Sequence, residues 1–293
     1  MTNETYHEPV LVQEVLIHLA PLKKARIVDA TLGTGGHTLE MIKKGAEVLG
    51  IDADEAMLEV ARKRLEEASG SFKLVHDNFR NIEGVAKNAD FKDVDGVLFD
   101  LGVSNIHLTS DNRGFSFSNP EAELDMRLEP QTQGLKASDL LDGLREDHLI
   151  ALFGKVLKFS EARYISKRVI REREKKRIQT VGDFLRVVWG LKTKKGLHPA
   201  TLPFLALRIA VNSELENLNE ALPKAFSLLK KGGKLLLITF HSGEEKVVLD
   251  FYHEAERRGE AKILTRRPVT PGEAEIRKNP RARSAELYVL AKT

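Results

Sequence analysis

The sequence predicts a doubly wound α/β fold, a parallel sheet wrapped by helices, interrupted by an inserted, mostly helical domain. Three observations predict it. Between residues 26 and 101, short apolar runs alternate with helical patterns, which is the signature of βαβ units. A glycine-rich turn, Gly33-Thr34-Gly35-Gly36, joins the first apolar run to the first of these helices. The next convincing strand then begins only at Lys234, whereas a βαβ crossover needs only about 30 residues in all.

The elements follow in order. Strands are expected at 26–30, 47–52, 73–77 and 96–101, with helices near 36–44, 54–68 and 81–89. Residues 105–200 are too long for a loop and have a helical periodicity of their own, so they form the insert. Residues 1–104 and 201–293 then make one domain. The chain returns on a helix over 202–229, ended by Lys231-Gly232-Gly233. A strand at 234–240, a helix at 243–258 and strands at 261–266 and 285–291 complete the sheet, the last two as an antiparallel edge.

Composition narrows the chemistry. The chain has 46 basic against 43 acidic residues, so net charge alone announces no nucleic-acid partner; only its distribution can. The absence of cysteine rules out disulfides, thiolate catalysis and cysteine-held zinc, and fits a reducing cytosol. No histidine pair has ligand spacing, so no metal site is expected. The N-terminus is polar and no apolar run approaches the roughly 18 residues of a membrane span, so the expected location is cytoplasmic.

The glycine turn brings backbone N–H groups to a ligand at a helix N-terminus. Asp52, nineteen residues after Gly33 and ending the second strand, is placed to accept hydrogen bonds from both ribose hydroxyls of an adenosine. The pocket is therefore one for an adenosine-containing cofactor. NAD and S-adenosylmethionine both satisfy Asp52, and Thr38, standing where a dinucleotide fold wants its third glycine, favours S-adenosylmethionine. At the end of the third strand, Phe79 is placed to cover the adenine face and Asp77 or Asn78 to meet its polar edge, unless Phe79 is simply core.

Asp100 ends the fourth strand at the same edge of the sheet. A carboxylate there suits methyl transfer to an exocyclic amine, whose lone pair is delocalised into its ring. Accepting one N–H helps to localise that pair and aim it. His107 is a candidate cofactor contact in the following loop. On the substrate side stand Arg113 and Asp125 in loops rich in arginine and aromatics, Arg208 and Asn212 four apart on one helix face, and His241 after the fifth strand. The basic run Arg163–Arg177, followed by Lys192, Lys194 and Lys195, and the basic stretch at 262–283 are candidate RNA contacts, although a charge run is more often a solvated face.

Together these residues resemble the RsmH/MraW family of S-adenosylmethionine-dependent methyltransferases. The matching motifs are Asp29-Ala30-Thr31-Leu32-Gly33 with Gly35-Gly36-His37, Asp100-Leu101-Gly102-Val103-Ser104, Arg113-Gly114-Phe115-Ser116-Phe117, Leu124-Asp125-Met126-Arg127, His198-Pro199-Ala200-Thr201, Phe240-His241-Ser242 and Asn279-Pro280-Arg281-Ala282-Arg283-Ser284. The resemblance implies a class I methyltransferase (Rossmann-like) fold with a helical insert for substrate recognition. It implies N4-methylation of a cytidine in the decoding centre of bacterial 16S rRNA, with the small ribosomal subunit as the setting. By matched position it places cofactor contacts on Gly35, Gly36, His37, Asp52, Phe79, Asp100 and His107, the last standing where the family has a glutamine. Asp100, placed to orient the amine, is the expected catalytic residue. Two other classes stand beside it: a non-catalytic rRNA-binding assembly factor that keeps the pocket, and an NAD-dependent oxidoreductase.

Overall fold

A computed structural model of the chain describes residues 9–68, 70–102, 113–191 and 197–293. They divide into two compact units, Met1–Gly102 with Leu215–Thr293, and Val103–Glu214.

The first unit is built on a seven-stranded sheet. In chain order the strands are β1 Arg26–Asp29, β2 Glu47–Asp52, β3 Ser71–His76, β4 Val94–Asp100, β5 Leu229–Thr239, β6 Ala261–Ile263 and β7 Glu286–Lys292. Their order across the sheet is β3-β2-β1-β4-β5-β7-β6. The first five run parallel, and β7 enters antiparallel between β5 and β6. This is the mixed, doubly wound sheet expected of a class I methyltransferase fold.

The central strands β1, β2 and β4 and the second half of β5 are largely apolar and buried because both faces of the sheet are covered there, whereas the edge strand β3 has no buried residue. Side chains alternate between faces along each strand. Val28, Val97, Phe99, Leu235 and Leu237 enter one core. Their neighbours Ile27, Leu98, Leu236 and Ile238 enter the other. Helix Glu55–Glu66 opens on an Asp54 cap, whose carboxylate accepts the Ala56 N–H at 2.9 Å.

The second unit has its own core, which gathers Phe153, Ile165, Phe184, Phe204 and Leu207. Helices Ala137–Gly143, Glu146–Phe153, Phe159–Arg173, Val181–Val188 and Thr201–Asn212 supply it. Phe184 stacks on Phe153 with centroids 6.2 Å apart and tilts against Phe204 at 5.3 Å. Thr180 and Asp183 form a reciprocal capping box at the start of Val181–Val188.

The observed elements differ from the sequence expectation in several places. The helix read as continuous over 202–229 is two helices, Thr201–Asn212 and Glu214–Leu228, parted at Ser213 with φ 49°. The first of them groups with the second unit, because Phe204, Ala206 and Leu207 point into that core. Lys231-Gly232-Gly233 lies inside β5 rather than ending a helix. A short helix, Val12–Leu19, precedes β1 where none was expected.

Candidate active site

The carboxyl ends of β1, β2 and β4 each carry an aspartate, at 29, 52 and 100. The strand order reverses between β1 and β4, and open α/β sheets bind ligands beyond the strand ends at such a point.

Asp52 ties the glycine turn to β2. Its Oδ2 accepts the Gly33 N–H at 2.7 Å and its Oδ1 the Asp54 N–H at 2.8 Å. Gly33 and Gly35 have φ of 53° and 74°, where side chains are strained. A Cβ on Gly36 would lie 2.9 Å from Pro9 Cγ, and one on Gly35 3.3 Å from Ala61 Cβ. The Gly35–Gly36 pair therefore serves close packing around the start of helix Gly36–Lys43, while a Cβ on Gly33 meets nothing within 4 Å among the described residues.

Beneath the turn lies a buried polar cluster. Asp29 is 1% exposed. Its Oδ2 accepts the Thr38 hydroxyl at 2.7 Å and its Oδ1 the Thr31 N–H at 3.4 Å. Burial pushes the Asp29 carboxyl up to about 6, although Thr38, His37 and the Thr31 N–H pull against it. The Thr31 hydroxyl in turn accepts the Asp100 N–H at 2.6 Å, fixing the end of β4 against β1.

His37, on the first turn of its helix, is buried, and its Nε2 lies 3.4 Å from Asp100 Oδ2. Burial opposes charge on the ring, but Asp100, then Asp29 and Glu275, outweigh it and hold the imidazole above its usual pKa. Among the described residues neither ring nitrogen has a hydrogen-bond partner, and neither does Asp100 Oδ1. Buried polar atoms are nearly always paired. Three such atoms together, beside a carboxylate that is 24% exposed, fit a polar ligand bringing both donors and acceptors.

Phe79 opens a turn of 3-10 helix after β3 and packs edge-on to Phe99 with centroids 5.7 Å apart. It is half-buried, with a ring left partly open to a ligand. Asp77 and Asn78 build the turn that presents it. Asp77 Oδ1 accepts the Asn78 N–H and the Asn81 side-chain amide, both at 2.7 Å, and Asn78 caps the turn through the Arg80 N–H at 3.0 Å.

The residues assigned to the substrate side fall into two groups. His241 caps helix Ser242–Arg257, with Nδ1 accepting the Gly243 and Glu244 N–H groups at 3.1 and 3.3 Å. Its Nε2 faces Glu244 Oε1 at 3.1 Å. The others meet in the second unit. Arg127 grips Asp125 with two parallel bonds, at 2.7 and 2.8 Å. Asn212 accepts the Leu128 N–H and the Gln133 amide, and donates to the Met126 and Arg208 carbonyls. Arg208 holds Glu214 with two bonds at 2.8 Å. Arg113 reaches the Arg127 and Leu128 carbonyls at 3.3 Å and lies 5.5 Å from the Phe115 ring centre. Asp125 and Asn212 thus shape the loop over 113–136, and Arg208 ties its helix to Glu214. His107, Lys192, Lys194 and Lys195 lie outside the described residues.

Sequence reasoning did not single out Thr31, Thr38 or Glu275 as site residues. Glu275 also accepts the Leu11 N–H at 2.7 Å, pinning the N-terminal segment. A hydroxyl two residues after Asp29, and another at the absent third glycine, were the available signals.

Comparison with known proteins agrees along the whole chain. A model of the MraW methylase family matches residues 4–293. A ribosomal RNA small subunit methyltransferase H from Persephonella marina is 40% identical over 289 residues, covering 97% of this chain and 98% of that protein. One from Dictyoglomus thermophilum is 38% identical over 291 residues, covering 98% and 96%. A third, from Carboxydothermus hydrogenoformans, is 38% identical over 312 residues, covering 99% and 98%.

Proposed function

The chain belongs to the MraW methylase family, and from that premise we propose that it methylates the N4 amine of a cytidine in the decoding centre of 16S rRNA, with S-adenosylmethionine as donor. The observation that carries the reading is the pair of buried His37 and half-buried Asp100 at the end of β4, with three buried polar atoms that have no hydrogen-bond partner among the described residues.

The cofactor supplies an electrophilic methyl group on a sulfonium. The residues fit it. Asp52 is a carboxylate at the carboxyl end of β2, where an adenosine's ribose hydroxyls would lie, and the half-buried Phe79 offers a surface to adenine. An amino-acid group brings an ammonium for Asp100 Oδ1 and a carboxylate for His37, the pairing those buried atoms lack. With Gly35 and Gly36 these residues make the cofactor site.

Asp100 is the catalytic residue of this reading. Its carboxylate accepts one N–H of the cytidine amine, which turns the nitrogen lone pair away from the ring and toward the methyl group. The amine proton leaves after transfer, so Asp100 need act only as a hydrogen-bond acceptor, with no strong general base. His37 stands behind Asp100, with its Nε2 3.4 Å from Oδ2, and Asp100 favours the protonated form of its ring. Thr31 holds the Asp100 backbone.

Among the described residues no helix is long and apolar enough to cross a membrane. The proposed setting is the cytoplasm, on the small ribosomal subunit. The test uses small subunits from a strain lacking the gene, incubated with the purified protein and methyl-labelled S-adenosylmethionine. Label in N4-methylcytidine is the expected result. Cofactor binding with no labelled nucleoside would point instead to an assembly factor.

A further inference from the structure

Trp189 is the chain's only tryptophan, and 78% of it is exposed. A large aromatic held in water loses the stabilisation that burial would give it, so its position asks for a reason. It caps the C-terminus of helix Val181–Val188, and its backbone is fixed. Arg168, on helix Phe159–Arg173, donates to the Trp189 carbonyl at 2.8 Å and to the Arg186 carbonyl at 2.7 Å. The same guanidinium donates to the Tyr164 hydroxyl at 2.9 Å and lies 5.6 Å from the Tyr164 ring centre. One arginine thus ties two exposed aromatics to one place.

The surrounding charge is positive. Lys167 and Arg171 share the helix face of Tyr164, three and seven residues on. Both are exposed, and neither pairs with a carboxylate among the described residues. The neighbouring acids are mostly engaged. Asp183 is bound by Lys176 and Arg186, Glu172 by Lys175, and Glu161 accepts the Lys158 N–H. Glu174 closes the far end of the face. In a chain with 46 basic and 43 acidic residues, such a grouping is local rather than a reflection of bulk charge.

We propose that Trp189, Tyr164, Lys167 and Arg171 form a stacking surface for a single-stranded segment of the rRNA substrate. The proposal rests on the reading of the chain as an rRNA methyltransferase and adds where, and how, it grips RNA. Exposed aromatics set among cations are how proteins hold unpaired strands, with bases stacking on rings and phosphates meeting the charges. These cations beside exposed rings complement a phosphate backbone, which carries one negative charge per nucleotide.

Because Trp189 is the sole tryptophan, intrinsic fluorescence reports this position alone. The full chain, loaded with S-adenosylmethionine, is titrated with a single-stranded oligoribonucleotide from the decoding region, and acrylamide quenching is followed. RNA is expected to shield Trp189. By anisotropy of labelled RNA, Trp189→Ala weakens binding about tenfold, and Trp189→Phe recovers much of it. Lys167→Glu with Arg171→Glu flattens the slope of log affinity against log salt by about 1.4. At saturating RNA none of these changes the methylation rate. Unaltered quenching in RNA-saturated protein, or an unchanged Trp189→Ala affinity, overturns the proposal. Shielding by whole subunits but by no naked rRNA also overturns it, in favour of a protein contact. Shielding by RNA in a protein that methylates no nucleoside supports this surface while removing the proposed activity.

Discussion

His37 Nε2 lies 3.4 Å from Asp100 Oδ2, joining the helix after the glycine turn to the end of β4. The imidazole pKa is raised above its usual value: burial works against the charge, and Asp100 and Asp29 more than restore it. A histidine whose folded pKa exceeds its unfolded one stabilises fully below the unfolded value, near 6.5, and loses that contribution as pH rises through the folded value. Asp100→Asn is therefore expected to lower the His37 pKa in an NMR titration. It should also destabilise the protein more at a pH of about 5.5 than at about 9. An unmoved His37 titration would separate the two residues electrostatically.

Asp29 has the opposite standing among carboxylates. Its pKa rises from 3.8 to about 6 because it is buried, so the folded state binds the extra proton. Its contribution is fully present below the unfolded value and is lost as pH climbs through about 6. The difference is worth at most about 3 kcal/mol. Asp29→Asn keeps an oxygen for the Thr38 hydroxyl and removes the buried charge. It is expected to raise stability by about 1–3 kcal/mol in urea unfolding near pH 7.5, with a smaller gain near pH 5. Removing that charge also lowers the His37 pKa, so the gain should come with weaker activity.

Asp52 holds both the Gly33 and Asp54 N–H groups. Asp52→Ala loses the ribose acceptor together with the anchor of the turn. Calorimetry should show S-adenosylmethionine binding weakened about 10- to 100-fold, the scale of a lost hydrogen bond to a charged group. Unchanged affinity would leave Asp52 a purely structural residue.

Asn212 is 6% exposed and bonds to the Leu128 N–H, the Gln133 amide and the Met126 and Arg208 carbonyls. Asn212→Ala strands the Leu128 N–H and the Met126 carbonyl inside the second unit. The expected cost is about 2–4 kcal/mol, with earlier proteolysis of the 113–136 segment. A substrate-contact residue would instead raise KM and leave unfolding unchanged.

The sheet was legible because its central strands are largely apolar on both faces and separated by helical periods. Asp52 and Asp100 were legible because a carboxylate at a parallel strand end is conspicuous. The helix break was not, since Ser213 takes φ 49° with no glycine or proline beside it. Thr38 was hidden because its hydroxyl matters only once Asp29 is known to be buried beneath it, and Thr31 because its hydroxyl meets Asp100, 69 residues away in sequence. Asp125, Arg208 and Asn212 stood out as polar residues, but their partners did not. Arg127 lies two residues from Asp125 in a loop, and Glu214 six from Arg208, beyond helical spacing.

The central claim is that the Asp100 carboxylate orients the cytidine amine for methyl transfer. Single-turnover methylation of small subunits, at saturating S-adenosylmethionine, compares the native protein with Asp100→Asn by mass spectrometry of the nucleosides. The account predicts N4-methylcytidine as the product and a rate reduced by at least about 100-fold in the variant. An Asp100→Asn protein that forms N4-methylcytidine at the native rate would contradict it.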